Sequence, residues 1–109
     1  MRYLVTGAAG FIGYHLVNEL LKEPKNKVYA IDRRKIKIKN KKLFKIEKDI
    51  KFLKKFPIVD CVIHLAAYNG TKFFYLKPFD IIDDNVSATI NLLKFYKNKK
   101  LKKFISAGS

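Results

Sequence analysis

The residues in this sequence best placed to do chemistry are three glycines and an acid. Gly7, Gly10 and Gly13 stand three apart, directly after Thr6 and the apolar run Tyr3-Leu4-Val5. In that arrangement Gly7 permits a tight turn, Gly10 lets a ligand approach the backbone closely, and Gly13 lets a following helix lie against its strand. The N-terminus of such a helix presents unpaired N–H groups and the positive end of its dipole, which together favour an anion such as a pyrophosphate. Asp32 follows nineteen residues after Gly13, at the end of a second apolar run, Lys27-Val28-Tyr29-Ala30-Ile31. A carboxylate at that place accepts hydrogen bonds from the hydroxyls of an adenosine ribose. Glycines alone would equally suit a turn that binds nothing; with Asp32 they describe one end of a dinucleotide site. Asp32 would repel the extra 2′-phosphate of NADP, whereas Arg33 and Arg34 directly after it can hold that phosphate. The acid at the strand tip favours NAD, with NADP as the open alternative.

These residues require particular elements to position them. The run from Tyr3 to Val5 lacks polar alternation, as a strand covered on both faces should. Ile12, Leu16, Leu20 and Leu21 recur at helical spacing between Phe11 and Lys22, and Pro24 with Asn26 ends that helix. Lys27 to Asp32 reads as the second strand and Leu43 to Ile46 as the third. Lys51 to Phe56 makes a short helix or turn before Pro57, and Ile58 to Leu65 is the fourth strand. A helix from about Phe79 to Lys97 follows, with Ile82, Val86, Ile90, Leu93 and Phe95 as its expected inward positions. Lys102 to Ser106 supplies a fifth strand. Strands alternating with helices predict an α/β fold, a Rossmann-type doubly wound parallel sheet of about five strands in the order 3-2-1-4-5.

The spacing Thr6-Gly7-x-x-Gly10-x-x-Gly13, with Phe11-Ile12 inside it, resembles the extended short-chain dehydrogenase/reductases, the NAD-dependent epimerase/dehydratase family acting on nucleotide sugars. Four later segments are similar to that family, so the resemblance covers the whole chain. Asp49-Ile50 resembles the acid-apolar pair that lies against the adenine. His64-Leu65-Ala66-Ala67 resembles the motif that ends the fourth strand beside the cofactor. Asn85 resembles the family's helix asparagine, and Phe104 to Ser109 resembles its fifth strand. The resemblance implies cofactor contacts at Gly7, Gly10, Phe11, Ile12, Gly13, Asp32, Arg33, Asp49, Ile50, Leu65, Ala66, Ala67 and Asn85. It implies that Ser109 hydrogen-bonds the substrate hydroxyl being oxidised, while a Tyr acts as acid/base beside a Lys.

That Tyr-x-x-x-Lys pair has no counterpart at the required place. Tyr68 and Lys72 match in letters but fall just after the fourth strand, and read as coincidence. The resemblance therefore implies the truncated, cofactor-binding portion of a longer enzyme, residues 1–109, inactive alone. The enzyme itself would oxidise a nucleotide sugar by hydride transfer to the nicotinamide and then rearrange the keto-sugar; for the full-length family a homodimer is the expected assembly. A non-catalytic nucleotide-binding module is the alternative that the residues also allow.

Composition bounds these readings. With 49% hydrophobic residues, six tyrosines and nine phenylalanines, 109 residues suffice for one modest core. Glycines interrupt the first apolar run too early for a signal peptide, and no stretch reaches the roughly 20 apolar residues that span a bilayer. The single cysteine, Cys61, lies in a buried-strand run and reads as a core thiol rather than a nucleophile, so a reducing cytoplasm is the expected location. His64 lacks the partners a metal site needs. The net charge of +15, with twelve of 24 basic residues between Arg33 and Lys55, raises non-specific polyanion binding as a further reading. Lysine dominates these clusters over arginine, which suits a solvated surface better than specific phosphate recognition.

Overall fold

The computed structural model describes residues 1–66 and 78–106, with the backbone alone for 78–84. Its elements are β1 (Arg2–Thr6), α1 (Phe11–Leu21), β2 (Lys27–Ile31), β3 (Leu43–Ile46), a 3-10 turn (Ile50–Phe52), β4 (Cys61–His64), α2 (Pro78–Tyr96) and β5 (Lys103–Ser106). The five strands form one sheet in the order β3-β2-β1-β4-β5, every neighbouring pair parallel, as expected.

Strand β1 is central because its side chains are apolar in both directions. Leu4 faces a layer with Ile31, Val62, Ile50, Phe56, Leu92 and Tyr96. Val5 faces the opposite layer with Val28, Ala30, Val17, Ile36, Ile38 and Leu43. Successive strand residues point to opposite faces, so β1 joins two cores, one under α2 and one under α1. The segment after β2 belongs to the second core, with Ile36 and Ile38 buried and Lys35, Lys37 and Lys39 exposed between them. The end of the sheet opposite the glycine turn is pinned by Asp60. Its carboxylate accepts from the Arg2 amide at 2.8 Å and from the Arg2 guanidinium, while its carbonyl accepts from the amides of Lys102 and Lys103. The Arg2 amide and guanidinium hold the Asp60 carboxyl below the ordinary carboxylate value, so its contribution is present above that value and lost in strong acid.

The helix faces differ from the sequence expectation. In α2 the inward residues are Ala88, Leu92 and Tyr96, with Phe95 half-buried, whereas Val86, Ile90 and Leu93 are 50%, 43% and 48% exposed. Hydrophobicity alone selected the wrong stripe because the inward face also carries Asn91 and Thr89. Asn91 Nδ2 donates to the carbonyls of Ile50 and Lys51 at 3.1 and 2.7 Å, so α2 grips the 3-10 turn through a polar side chain. In α1, Gly13 and Val17 are buried and Ile12 is exposed, since the close approach at Gly13 turns Ile12 outward. That helix ends at Leu21, where Asn26 Nδ2 donates to the Leu20 carbonyl at 2.9 Å. Strand β4 is shorter than the expected Ile58–Leu65: its ladder to β1 starts only at Cys61. Among the described residues no helix is long and apolar enough to cross a membrane.

The assignment of the α2 face is testable with neighbouring leucines. Leu92→Ala should cost about 2–5 kcal/mol in urea unfolding, as for other buried leucines, and Leu93→Ala less than about 1 kcal/mol. Equal costs would contradict it.

Candidate functional site

The three glycines serve two different purposes. Gly7 has φ +74°, and a Cβ there would lie 2.8 Å from the Ala66 nitrogen and the Leu65 carbonyl carbon. A Cβ on Gly13 would overlap the Gly7 carbonyl oxygen. Both positions are closed by the protein's own backbone. Gly10 is open: a Cβ there would meet only the Gly7 oxygen at 3.3 Å and the Arg34 guanidinium at 3.6 Å. Its lack of a side chain therefore leaves room for something other than the protein.

Gly10 is the N-cap of α1, and no side chain caps the helix there or contributes an acid to its first turn. The first free intrahelical acceptor, the Gly10 carbonyl, is taken by Tyr14 at 2.9 Å. Among the described residues the N–H groups of Phe11, Ile12 and Gly13 thus have no acceptor, and they stand at the positive helix end. Phe11 and Ile12 are exposed beside them. An open groove of about 420 Å³ runs alongside, lined by Gly10, Phe11, Tyr14, Arg34, Lys35 and Lys37 among others.

Asp32 lies just past β2, 6% exposed, and ties the glycine turn to the neighbouring strand. Its Oδ2 accepts from the Ala9 amide at 3.0 Å and its Oδ1 from the Arg34 amide at 2.8 Å. Arg33 is exposed, and the groove is lined by its neighbour Arg34. Asp49 caps the 3-10 turn by accepting from the Lys51 amide at 3.1 Å, and Ile50 is buried in the core. Sequence reasoning assigned both to an adenine; in this fold they also set the turn that α2 holds.

The far wall of the site is a hydrogen-bond chain of fixed direction. Thr6 Oγ1 accepts from the amides of Leu65 and Ala66 at 3.0 and 3.1 Å, leaving its own proton to donate to His64 Nδ1 at 2.6 Å. With Nδ1 accepting, the ring proton belongs on Nε2, which donates to Thr89 Oγ1 at 3.1 Å. Thr89 then donates to the Asn85 carbonyl at 2.9 Å. The chain joins β1, the end of β4 and the turn of α2 that carries Asn85, so His64 holds the scaffold of the site. Thr6 and Thr89 received no role from the sequence, because their partner His64 lies 58 and 25 residues away. Ala67, Ser109, Tyr68 and Lys72, and the aromatic loop of 69–75, lie outside the described residues. Among the described residues no group of three or more His, Cys, Asp or Glu forms a metal cluster, and Cys61 is a buried thiol raised by burial above its ordinary pKa.

Burial pushes the His64 pKa below its ordinary 6.5. The folded protein then binds fewer protons at this residue than the unfolded chain, so its contribution is complete above pH 6.5 and is lost as pH falls below it. Thermal unfolding from pH 7.5 downward should therefore show a loss beginning near that value, and nitrogen NMR at neutral pH should find the His64 proton on Nε2. A proton on Nδ1 would contradict the assigned chain.

With this geometry in place, comparison with known proteins identifies its kind. The uncharacterized UDP-glucose epimerase YtcB of Bacillus subtilis is 34% identical over 100% of this chain and 40% of its own length. The UDP-glucuronate 4-epimerase of Thermodesulfobacterium geofontis is 31% identical over 98% of this chain and 39% of its own. Among solved structures, UDP-glucuronic acid 4-epimerase from Bacillus cereus, in complex with UDP-glucuronic acid and NAD, superposes with a TM-score of 0.84 at 33% identity, covering 97% of this chain and 39% of that one. UDP-glucose 4-epimerase from Thermotoga maritima, with UDP-glucose, gives 0.88 at 27% identity over 100% of this chain and 38% of that one. The chain thus spans about 40% of the length of the curated relatives it matches. Residues 3–109 match one family throughout, and the chain belongs to it: the NAD dependent epimerase/dehydratase family.

Proposed function

We propose that this chain binds NAD across the glycine turn, and that the whole protein is an epimerase or dehydratase working on a nucleotide sugar. The observation that supports it most is the combination at α1: three unpaired amides, an open Gly10, and Asp32 hydrogen-bonded to the same turn. These fit the group by its own chemistry. The amides of Phe11, Ile12 and Gly13 would bind the pyrophosphate, and Asp32 would receive the ribose hydroxyls. Relatives solved with NAD and UDP-sugars support the same cofactor and substrate class.

When bound, NAD supplies a hydride acceptor for the sugar. The residues of this chain prepare the place for it. Gly7 lets the turn close against the residues that follow β4, and Gly13 lets α1 close against the turn, which aims the first-turn amides at one point. Thr6 and His64 fix the Leu65-Ala66 backbone beside that point, and Thr89 fixes the Asn85 turn. The apolar lining of strands β1 and β4 keeps water from the underside of the site. Ser109 is proposed to orient the substrate hydroxyl.

Two measurements test the reading. In calorimetry the protein should bind NAD, and Gly10→Val should weaken that binding by at least about tenfold, the equivalent of one lost strong contact. The variant should lose less stability than Gly13→Ala, since a Cβ at Gly10 lies 3.3 Å from the Gly7 carbonyl oxygen, whereas one at Gly13 would overlap that atom. An unchanged affinity would refute the placement of the pyrophosphate. Gly13→Ala should instead lower stability by about 1–3 kcal/mol with or without nucleotide, as overpacking does.

A further inference from the structure

The register of the sheet places a row of cations at the end of the molecule away from the glycine turn. The ladders pair Arg2 with Lys27, Val28 with Leu43, Tyr3 with Cys61, and Cys61 with Lys103. One residue before the last three pairs, the row across the sheet from β3 to β5 reads Lys42, Lys27, Arg2, Asp60, Lys102. Backbone bonds carry the row past the ladders: the amides of Lys27, Asp60 and Lys102 donate to the carbonyls of Met1, Arg2 and Asp60 at 3.0, 2.9 and 2.8 Å. Neighbouring strands lie about 4.8 Å apart, so the row spans roughly 19 Å. Lys27, Arg2 and Lys102 each stand two residues before a member of the layer under α2, respectively Tyr29, Leu4 and Phe104; Lys42 stands two before Phe44, which stacks on Tyr29. Strand alternation therefore puts all four cations on one face.

All four cations are exposed, and the acid of the row, Asp60, is committed to Arg2. Among the described residues Lys27, Lys42 and Lys102 form no ion pair. Like charges directly opposite on adjacent strands destabilise a sheet, and here Arg2 faces Lys27 and Lys27 faces Lys42. A bound polyanion relieves that repulsion. The same end also offers a flat aromatic surface. The rings of Tyr29 and Phe44 stack with centroids 4.9 Å apart and planes 24° apart, and Phe44 is 47% exposed. Lys27 Nζ leans across both, 5.1 Å from the Phe44 centroid and 5.7 Å from that of Tyr29. A nucleobase can take the place of that ammonium on the Phe44 ring while the ammonium meets the adjoining phosphate.

We propose that this end of the sheet docks single-stranded nucleic acid, its phosphates along Lys42, Lys27, Arg2 and Lys102 and a base stacked on Phe44. Such a surface reads charge and stacking rather than sequence, in keeping with lysine outnumbering arginine in the row. It lies at the opposite end of the strands from the glycine turn, so it acts independently of the dinucleotide reading.

Fluorescence anisotropy of a labelled oligothymidine, titrated with the protein from low salt upward, tests this. Affinity should fall with salt along a log–log slope of about −2 to −3, as contacts to three or four phosphates give. Lys27→Ala/Lys102→Ala should weaken binding about tenfold or more and flatten the slope by about 1.4. Its melting temperature should be unchanged or higher, since the row repels itself. Lys35→Ala/Lys37→Ala, an equal change of charge near the glycine turn, should alter the affinity less than about twofold. Phe44→Leu keeps an apolar contact with Tyr29 but has no ring face; it should weaken oligothymidine about fivefold and leave inorganic polyphosphate unchanged. Saturating NAD should not displace the oligonucleotide. No oligothymidine binding, equal losses in the two lysine variants, an unchanged affinity in Phe44→Leu, or displacement by NAD would each overturn the inference. So would tighter binding of polyphosphate or of phosphatidylserine vesicles than of the oligonucleotide.

Discussion

The hydroxyl of Thr6 at the tip of β1 is the constraint on which the site depends. It accepts two amides from the end of β4 and gives its own proton to His64, so every hydrogen-bonding capacity it has is committed. The next residue, Gly7, turns with a positive φ against that same stretch of β4. Strand β1 therefore stops, turns and starts α1 at a point set by β4 rather than by local preference. The buried His64 carries the constraint to α2, and its neutral form is the one that fits, because each hydroxyl in the chain already has a direction. Burying a charged imidazole there would leave a proton facing another donor, which costs far more than the hydrogen bond it replaces.

A second constraint runs along the other side of the turn. Asp32 binds the Ala9 amide, so the acid and the glycine turn are one unit before any ligand arrives. Pre-organisation of this kind lowers the ordering cost of binding. The lysine-rich surface modifies this unit. The Arg34 side chain reaches the acid, and Lys35 and Lys37 follow it on the exposed side of a segment where Ile36 is anchored by burial and by both of its backbone groups. Charge elsewhere on the surface is screened within about 8 Å at physiological salt and contributes little to this site.

Much of this was legible in the sequence, for identifiable reasons. The strand order followed from the alternation of short apolar runs with helical spacing, and the glycine positions and Asp32 were visible because their roles are local. The separate role of Gly10 was legible too, as the position where a ligand approaches; what the sequence could not supply were the atoms that close around Gly7 and Gly13, which come from Leu65, Ala66 and the turn itself. The inward face of α2 was misread because Asn91 and Thr89 are polar residues pointing inward to partners on the 3-10 turn and β4. Periodicity detects apolar burial and is blind to polar burial that long-range hydrogen bonds satisfy. Thr6 was missed for the same reason, as its partners lie more than fifty residues along the chain.

The central claim is that the unpaired first-turn amides of α1, joined to Asp32 through the glycine turn, form a dinucleotide site. Its most direct test is the amide spectrum of the nitrogen-labelled protein recorded with and without NAD. The account predicts that the signals of Gly10, Phe11, Ile12, Gly13 and Asp32 move together with one saturation curve, while those of β3 stay in place. Saturating NAD with those five signals unmoved, or shifts confined to the lysine-rich surface between Lys39 and Lys55, would contradict it.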